Sequence, residues 1–382
     1  MVYQGGSPAG EMRFPVKIAH VTDSMDIGGA EVMVQSLCRL HRAQGHEVSV
    51  HCLYACGVLG EALRDEGIPV TTYGPAPYWR LSGRLFKVFR QLSPDVVHCH
   101  NVVASAVGAV AARFAGARAV ICTRHGIVSK PRNLRRQGFF WLTARCADRV
   151  AAVCTRAQEN LARATFAQPG KLVTIWNGAE PAPILNGTYT QDANDPAVFK
   201  LVAVARLGPP KDHLTLVRAV KKARDSVPGL LLWVVGDGPN EPSIRQLVSE
   251  LDCTDAVRFL GGRRDVGDWL ARADLFVLSS ESEGVPISVL EAMAAGLPCL
   301  VSDVGGLGEV VRRACAGTVV NPGDVNGFAE AIVHYARNRK ELLEHARNAR
   351  TSYTQYFTLE RMADAYMGLY QNPRAAVSNP NA

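Results

Sequence analysis

The sequence predicts an α/β protein built from two doubly wound parallel sheets. Three observations carry that reading. Short apolar runs alternate with amphipathic helical stretches from one end of the chain to the other, the pattern of repeated βαβ units. The alternation breaks once, over residues 181–196, PAPILNGTYTQDANDP, where turn-forming residues crowd together. The chain has 382 residues, enough for two separate cores of ordinary domain size.

Taken in order, residues 1–15, MVYQGGSPAGEMRFP, read as a disordered leader rich in Gly, Ser and Pro. They lack the charged-then-apolar form of a signal peptide. The first domain, 16–180, has strands at KIAHVT, VSVHCL, PVTTY, DVVHCH, ARAVICT, RVAAV and KLVTI, with helices between them, for example over 30–43 and 84–92. Residues 181–197 form the linker. The second domain, 198–354, has strands at KLVAVA, LLLWVVG, AVRFLG, DLFVLS, PCLVS and GTVV. Beyond Phe328 the chain is helical. In the last helix, 355–372, Leu359, Met362, Ala363, Tyr366, Leu369 and Tyr370 make one apolar face at helical spacing. Residues 373–382 read as a disordered tail. Open parallel sheets bind ligands outside the C-terminal ends of their strands, so the loops that follow strands are where chemistry is expected.

Composition narrows the function classes. The chain is 47% hydrophobic and 20% charged, a globular balance, and no apolar run approaches the roughly 20 residues of a membrane span. The expected location is the cytoplasm, with contact to the inner face of the membrane. The ten cysteines are scattered, several inside apolar runs such as VICT and PCLVS, and no C-x-x-C pair occurs. They read as reduced core thiols. A formal charge of +7 is modest for this length, and one partial candidate for a basic stripe of nucleic-acid type exists, seven cations from Arg124 to Arg149 against the single acid Asp148. Two basic, aromatic segments stand out, 79–92 (WRLSGRLFKVFRQL) and 130–145. Such surfaces lie on anionic bilayers or, more plainly, are solvated helix faces with their aromatics turned inward.

The most informative segment is 279–309, SSESEGVPISVLEAMAAGLPCLVSDVGGLGE. Glu283 and Glu291 lie eight positions apart. Pro286 suits the first turn of a helix running to about Ala295, which Gly296 and Pro298 stop. Glu283 then sits in the loop at the helix mouth and Glu291 two turns further along. Backbone N–H groups from Gly284 and Val285 to Ile287 face the same space, and a helix N-terminus attracts anions. A ligand with both phosphate and hydroxyl groups fits that combination.

This segment resembles the donor-binding signature of the retaining glycosyltransferases of GT-B architecture, glycosyltransferase family 4. The resemblance covers about 16–370. It implies the GT-B fold: two Rossmann-like domains facing each other across a cleft, with the C-terminal helix crossing back to the first domain. It implies that Glu283 meets the transferred sugar and Glu291 the ribose. Gly28 and Gly29, ahead of a helix opening at Ala30-Glu31, match the family's GGAE loop, which faces the donor diphosphate and sugar. An ordinary tight turn uses the same glycine pair, and the dinucleotide fingerprint G-x-G-x-x-G is absent.

The other motifs follow the same pattern. Arg206 ends a strand and Lys211 follows five residues later, matching the family's R-x4-K pair. Two cations there hold a departing diphosphate and offset the charge that develops on it. Gly236-Asp237-Gly238-Pro239 resembles the G-x-G-P loop on the nucleotide side, and a structural turn accounts for it as well. Gly261 to Arg264, including Arg263, match the loop that meets the base. His125, in TRHG after a strand, stands where relatives place a His or Asp against the sugar. His98 and His100 share one side of a strand, but no third ligand at recognisable spacing completes a metal site, and none is expected. His100 and Asn101 are candidate acceptor contacts. The implied reaction moves a sugar from a nucleotide-sugar donor to a saccharide or lipid-linked acceptor in cell-surface polysaccharide assembly, without metal or cofactor and without nucleic acid. The alternatives are a nucleotide-sugar epimerase of the same fold and a non-catalytic sugar-nucleotide-binding partner.

Overall fold

The computed structural model describes residues 15–126, 134–165, 169–182, 195 and 197–375. The leader, most of the linker, the start of the second basic segment and most of the tail lie outside these residues.

The chain divides into two compact units. One comprises residues 1–178 together with 359–382, the other residues 179–358. The first holds a parallel sheet of seven strands: β1 (Lys17–Ser24), β2 (Glu47–Ala55), β3 (Val70–Thr72), β4 (Val96–His100), β5 (Ala119–Arg124), β6 (Arg149–Ala152) and β7 (Leu172–Thr174). Their order is β3-β2-β1-β4-β5-β6-β7. The second unit holds β8 (Phe199–Val204), β9 (Leu230–Val235), β10 (Val257–Gly261), β11 (Leu275–Leu278), β12 (Cys299–Ser302) and β13 (Gly317–Val320), ordered β10-β9-β8-β11-β12-β13. Every ladder in both sheets is parallel. Parallel sheets covered on both faces need near-continuous apolar strands. LLLWVV of β9 meets that demand, all six residues being buried.

The two sheets reverse direction of winding at β1/β4 and at β8/β11. In each sheet, taken by itself, the loops that leave those two strands flank its switch point, where such sheets bind ligands. After β1 comes Gly28-Gly29, after β4 Asn101, after β8 Arg206 and Lys211, and after β11 Glu283.

The C-terminal helix, Leu359–Gln371, belongs to the first unit, as the crossover expectation requires. Its apolar face is wholly buried there. Tyr370 Oη bonds His98 Nδ1 at 2.7 Å and Tyr366 Oη bonds Thr123 Oγ1 at 3.0 Å. Gly178 N–H points at Met362 Sδ.

Three local expectations shift. The helix expected over 84–92 begins earlier, at Tyr78–Leu92, because Leu81, Leu85 and Phe89 already form its buried i, i+4, i+8 stripe. The helix carrying Glu291 is Ile287–Ala294, with Pro286 as its extended N-cap rather than inside its first turn. Glu291 therefore lies one turn into that helix, not two, since residues up to Pro286 are used by the loop. The cysteines are all free, but Cys56 and Cys146 are half-buried and Cys315 is exposed, so not all are core thiols.

Candidate functional site

In the second unit, the loops after β8 and β11 are stitched together. Ser279 Oγ donates to the carbonyl of Asp212 at 2.8 Å, and Glu281 N–H donates to that of Pro210 at 2.7 Å. This sets Lys211 Nζ against Glu283 Oε1 at 2.5 Å, an ion pair with both side chains largely buried. Ser280 Oγ donates to the same oxygen at 2.7 Å. Asp212 caps the next helix, His213–Arg224, through Thr215 N–H, which fixes the residue beside Lys211. Arg206 stands exposed at the end of β8. A cation, the carboxylate it neutralises and a hydroxyl meet at a single loop junction, with Arg206 exposed earlier in the loop that carries Lys211.

The loop at Gly236 to Pro239 joins the same surface for a packing reason. Gly236 has φ of 135° and a Cβ there would collide with the carbonyl of Ala205; a Cβ on Gly238 would collide with that of Leu207. Leu207 N–H donates to the carbonyl of Asp237 at 2.8 Å. Both glycines are thus demanded by the fold, whatever else they meet. Gly236 N–H reaches Gly261 O at 2.8 Å, and the Asp237 carboxylate lies against Gly262, so these two loops form one surface. Arg263 is engaged there: Nε and a terminal nitrogen bond the Asp265 carboxylate at 2.6 Å each, with the guanidinium over Trp269. That pair holds the Asp265 carboxyl below the ordinary range.

Gly284 and Val285 are buried where the β11 loop enters the helix carrying Glu291. Burial without an opposing cation raises the Glu291 carboxyl to about 7. A carboxylate kept near neutrality in this way gains from hydroxyl donors.

In the first unit Gly28 is the N-cap of helix Gly29–Ala43, with an extended φ of −160° that any residue adopts. A Cβ on Gly29 would meet nothing within 4 Å, and one on Gly28 only the flexible Glu31 carboxylate. The fold does not demand these glycines, in contrast to Gly236 and Gly238. The surroundings are acidic. Burial raises the Glu31 carboxyl, and the charges of Asp23 and Asp26 raise it further. Sugar hydroxyls suit that loop better than phosphate, which narrows the role expected of Gly28 and Gly29.

The histidines depart most from expectation. His100 is fully buried, with Nε2 at 3.0 Å from His20 Nδ1 and Nδ1 at 3.1 Å from His125 Nε2. Its ring nitrogens are both taken inside the core, so the acceptor contact expected of it is corrected. Asn101, in a left-handed conformation at φ 64° ahead of helix Val102–Ala115, keeps that candidacy. His20 supplies the third histidine that spacing did not reveal: His20, His98 and His100 each bring a ring nitrogen within 4.8 Å of the others. His98 also has both nitrogens in hydrogen bonds, to Tyr370 and to Thr123 at 2.7 Å each. Burial lowers His20 and His125 to about 3 and holds His98 and His100 well below the ordinary histidine value, which favours the neutral form of all four rings. The signal for His20 was present as the alternate position of KIAHVT, but only the β1–β4 register, His20 opposite His98, makes it a neighbour. Ser280 was also missed, as a short polar residue in a loop of several.

The first basic segment is split by its helix. Leu81, Leu85 and Phe89 face the core, while Trp79 (71% exposed), Leu92 (46%) and Phe86 (37%) face outward. Arg80, Arg84, Lys87 and Arg90 share that outer side. Of the second segment, Phe140 is buried and Trp141 exposed; residues 130–133 lie outside the described residues. Among the described residues no helix is long and apolar enough to cross a membrane.

Comparison with known proteins matches a glycosyltransferase family model to each half. The family model described as glycosyltransferase family 4 matches residues 27–182, and that described as glycosyl transferases group 1 matches residues 198–338. A UDP-Gal:alpha-D-GlcNAc-diphosphoundecaprenol alpha-1,3-galactosyltransferase of Escherichia coli is 27% identical over 300 residues, 75% of this chain and 77% of that protein. An N-acetyl-alpha-D-glucosaminyl L-malate synthase of Bacillus anthracis is 28% identical over 306 residues, 76% of this chain and 78% of that one. Among solved structures, Anabaena HepE in complex with UDP superposes with a TM-score of 0.81 at 22% identity, covering 93% of this chain and 99% of that one.

Proposed function

The chain belongs to glycosyltransferase family 4 and is a glycosyltransferase of the GT-B fold, and from that premise we propose that it moves a sugar from a nucleotide-sugar donor to a saccharide or lipid-linked acceptor, with retention at the anomeric carbon, in cell-surface polysaccharide assembly. The observation that carries this reading is the junction of Lys211, Glu283 and Ser280, with Arg206 exposed in the loop that leads to Lys211. Charges of both signs at one loop junction suit a ligand that joins a diphosphate to a hydroxylated ring. Arg206 and Lys211 take the diphosphate, Glu291 the ribose, and Glu283 with His125 the sugar. Gly236, Asp237, Gly261, Arg263, Gly284 and Val285 line the nucleotide, and Gly28 and Gly29 meet sugar hydroxyls.

In the reaction the bond from the sugar's anomeric carbon to the diphosphate oxygen breaks. The acceptor oxygen bonds that carbon on the same face, and the acceptor proton passes to the departing phosphate oxygen. Charge grows on the leaving diphosphate, and the two preorganised cations stabilise it there more than in the ground state. This scheme assigns no metal or cofactor. The lipid-linked substrate in the name of the Escherichia coli relative supports an acceptor of that class. The outer face of helix Tyr78–Leu92, with Trp79 and Phe86 among four cations, supports docking to the cytoplasmic side of an anionic bilayer, where such an acceptor resides.

Two experiments test this reading. Slow hydrolysis of a UDP-α-sugar, followed by proton NMR, is expected to release the α anomer first; the β anomer first contradicts retention. Flotation with anionic vesicles is expected to carry the wild type and to lose at least most of the bound fraction with Trp79→Ala/Arg84→Ala. Equal flotation of both sinks the docking face.

A further inference from the structure

His125, His100 and His20 form a hydrogen-bonded chain running from the end of β5 into the core of the first unit. The two links measure 3.1 and 3.0 Å, and the ring planes they join are 24° and 18° apart, close to the coplanar arrangement in which an imidazole N–H meets a lone pair. Burial keeps every ring neutral, so each carries one N–H and one bare nitrogen. A chain of neutral imidazoles then has only two states, donating outward or inward. Its two ends are His20 Nε2 and His125 Nδ1, both buried and both without a partner among the described residues.

The ends decide the direction. An orphaned buried N–H is rarer, and so costlier, than an under-used acceptor. The His20 end lies deep in the core against His41 and His98 rings, where no ligand can reach. The His125 ring is half-buried at the strand end. The favoured direction therefore leaves the bare nitrogen at His20, in the core, and the N–H at His125, the one ring of the three that is partly exposed. His20 Nδ1–H donates to His100 Nε2, and His100 Nδ1–H donates to His125 Nε2.

We propose that His100 and His20 are positioning residues that lock His125 in its Nδ1–H form, making it a hydrogen-bond donor to an oxygen of the transferred sugar. The second half of this statement rests on the reading that His125 meets the sugar; the first half does not.

The test uses the full-length protein labelled with nitrogen-15 histidine, in long-range proton–nitrogen spectra that separate a protonated from a bare ring nitrogen. The His125 signals are assigned by their loss in His125→Gln. The expected wild-type pattern is protonated Nδ1 and bare Nε2. His100→Phe and His20→Leu are expected to mix or reverse that pattern and to lower the turnover number about tenfold, the worth of one hydrogen bond, with KM for the donor changed less than twofold. His20→Asn, whose amide N–H replaces the Nδ1 donor, is expected to restore both. A wild-type His125 protonated at Nε2 overturns the proposal even if every core variant fails to fold. A His125 pattern unmoved in both His100→Phe and His20→Leu overturns it as well. If instead the pattern follows His20 and His100 while His125→Gln keeps full turnover, the chain stands as proposed and the sugar-contact reading fails.

Discussion

Glu291 shows how one side chain's environment sets a measurable property. Its carboxyl is raised to about 7 because it is buried without a cation. A carboxyl with a folded-state pKa above its unfolded value stabilises the fold fully below about pH 4.5, and that contribution is lost as pH rises through 7. At about 1.4 kcal/mol per pKa unit the loss is about 3 kcal/mol. Denaturant unfolding of wild type and Glu291→Gln between pH 4.5 and 8 is expected to show the wild type falling by that amount relative to the variant. Parallel curves contradict it. On the proposal that Glu291 takes the ribose, whose hydroxyls would donate to the ionised form, nucleotide affinity is expected to rise with pH through 7 in the wild type and not in the variant. The glutamate pair was legible in the sequence because both members lie in one local segment. Ser280 and the His20 end of the histidine chain were not, since each matters only through what the fold sets beside it.

The loops teach that similar glycine motifs have different causes. Gly236 and Gly238 lie so close to the backbone at Ala205 and Leu207 that no Cβ fits, whereas Gly29 has room for one and at Gly28 only the flexible Glu31 side chain would have to move. Gly236→Ala is expected to cost at least about 2 kcal/mol through overpacking and backbone strain. Gly29→Ala, within a helix, is expected to leave stability unchanged or raise it by about 0.5–1 kcal/mol. It should nevertheless weaken donor use, read as a rise in KM. If Gly29→Ala unfolds the protein or leaves KM untouched, the assignment of that loop to the donor fails. Sequence alone could not separate the two motifs, because the difference lies in which strand end packs over each loop. Element types were legible throughout, since buried parallel strands read as apolar runs. The start of helix Tyr78–Leu92 was not, because Pro77 sits before its first turn and the aromatic residues there belong to its outer face.

At the scale of the molecule, two independent parallel sheets repeat one plan, each winding outward from a central first strand, β1 or β8. The chain's last helix returns to the first unit, where Tyr366 and Tyr370 close the core over the histidines. Its apolar stripe was readable, and its address came from the family resemblance, not from periodicity. The second unit carries the charged junction, and that is where the account is most exposed. The most direct measurement is a calorimetric titration of UDP, GDP and ADP, each with and without its sugar, into wild type and Lys211→Ala. The account predicts that one nucleotide series binds the wild type and that Lys211→Ala weakens it at least tenfold, the loss of a charge-assisted contact. Absence of binding by every nucleotide, or equal binding by the variant, contradicts it.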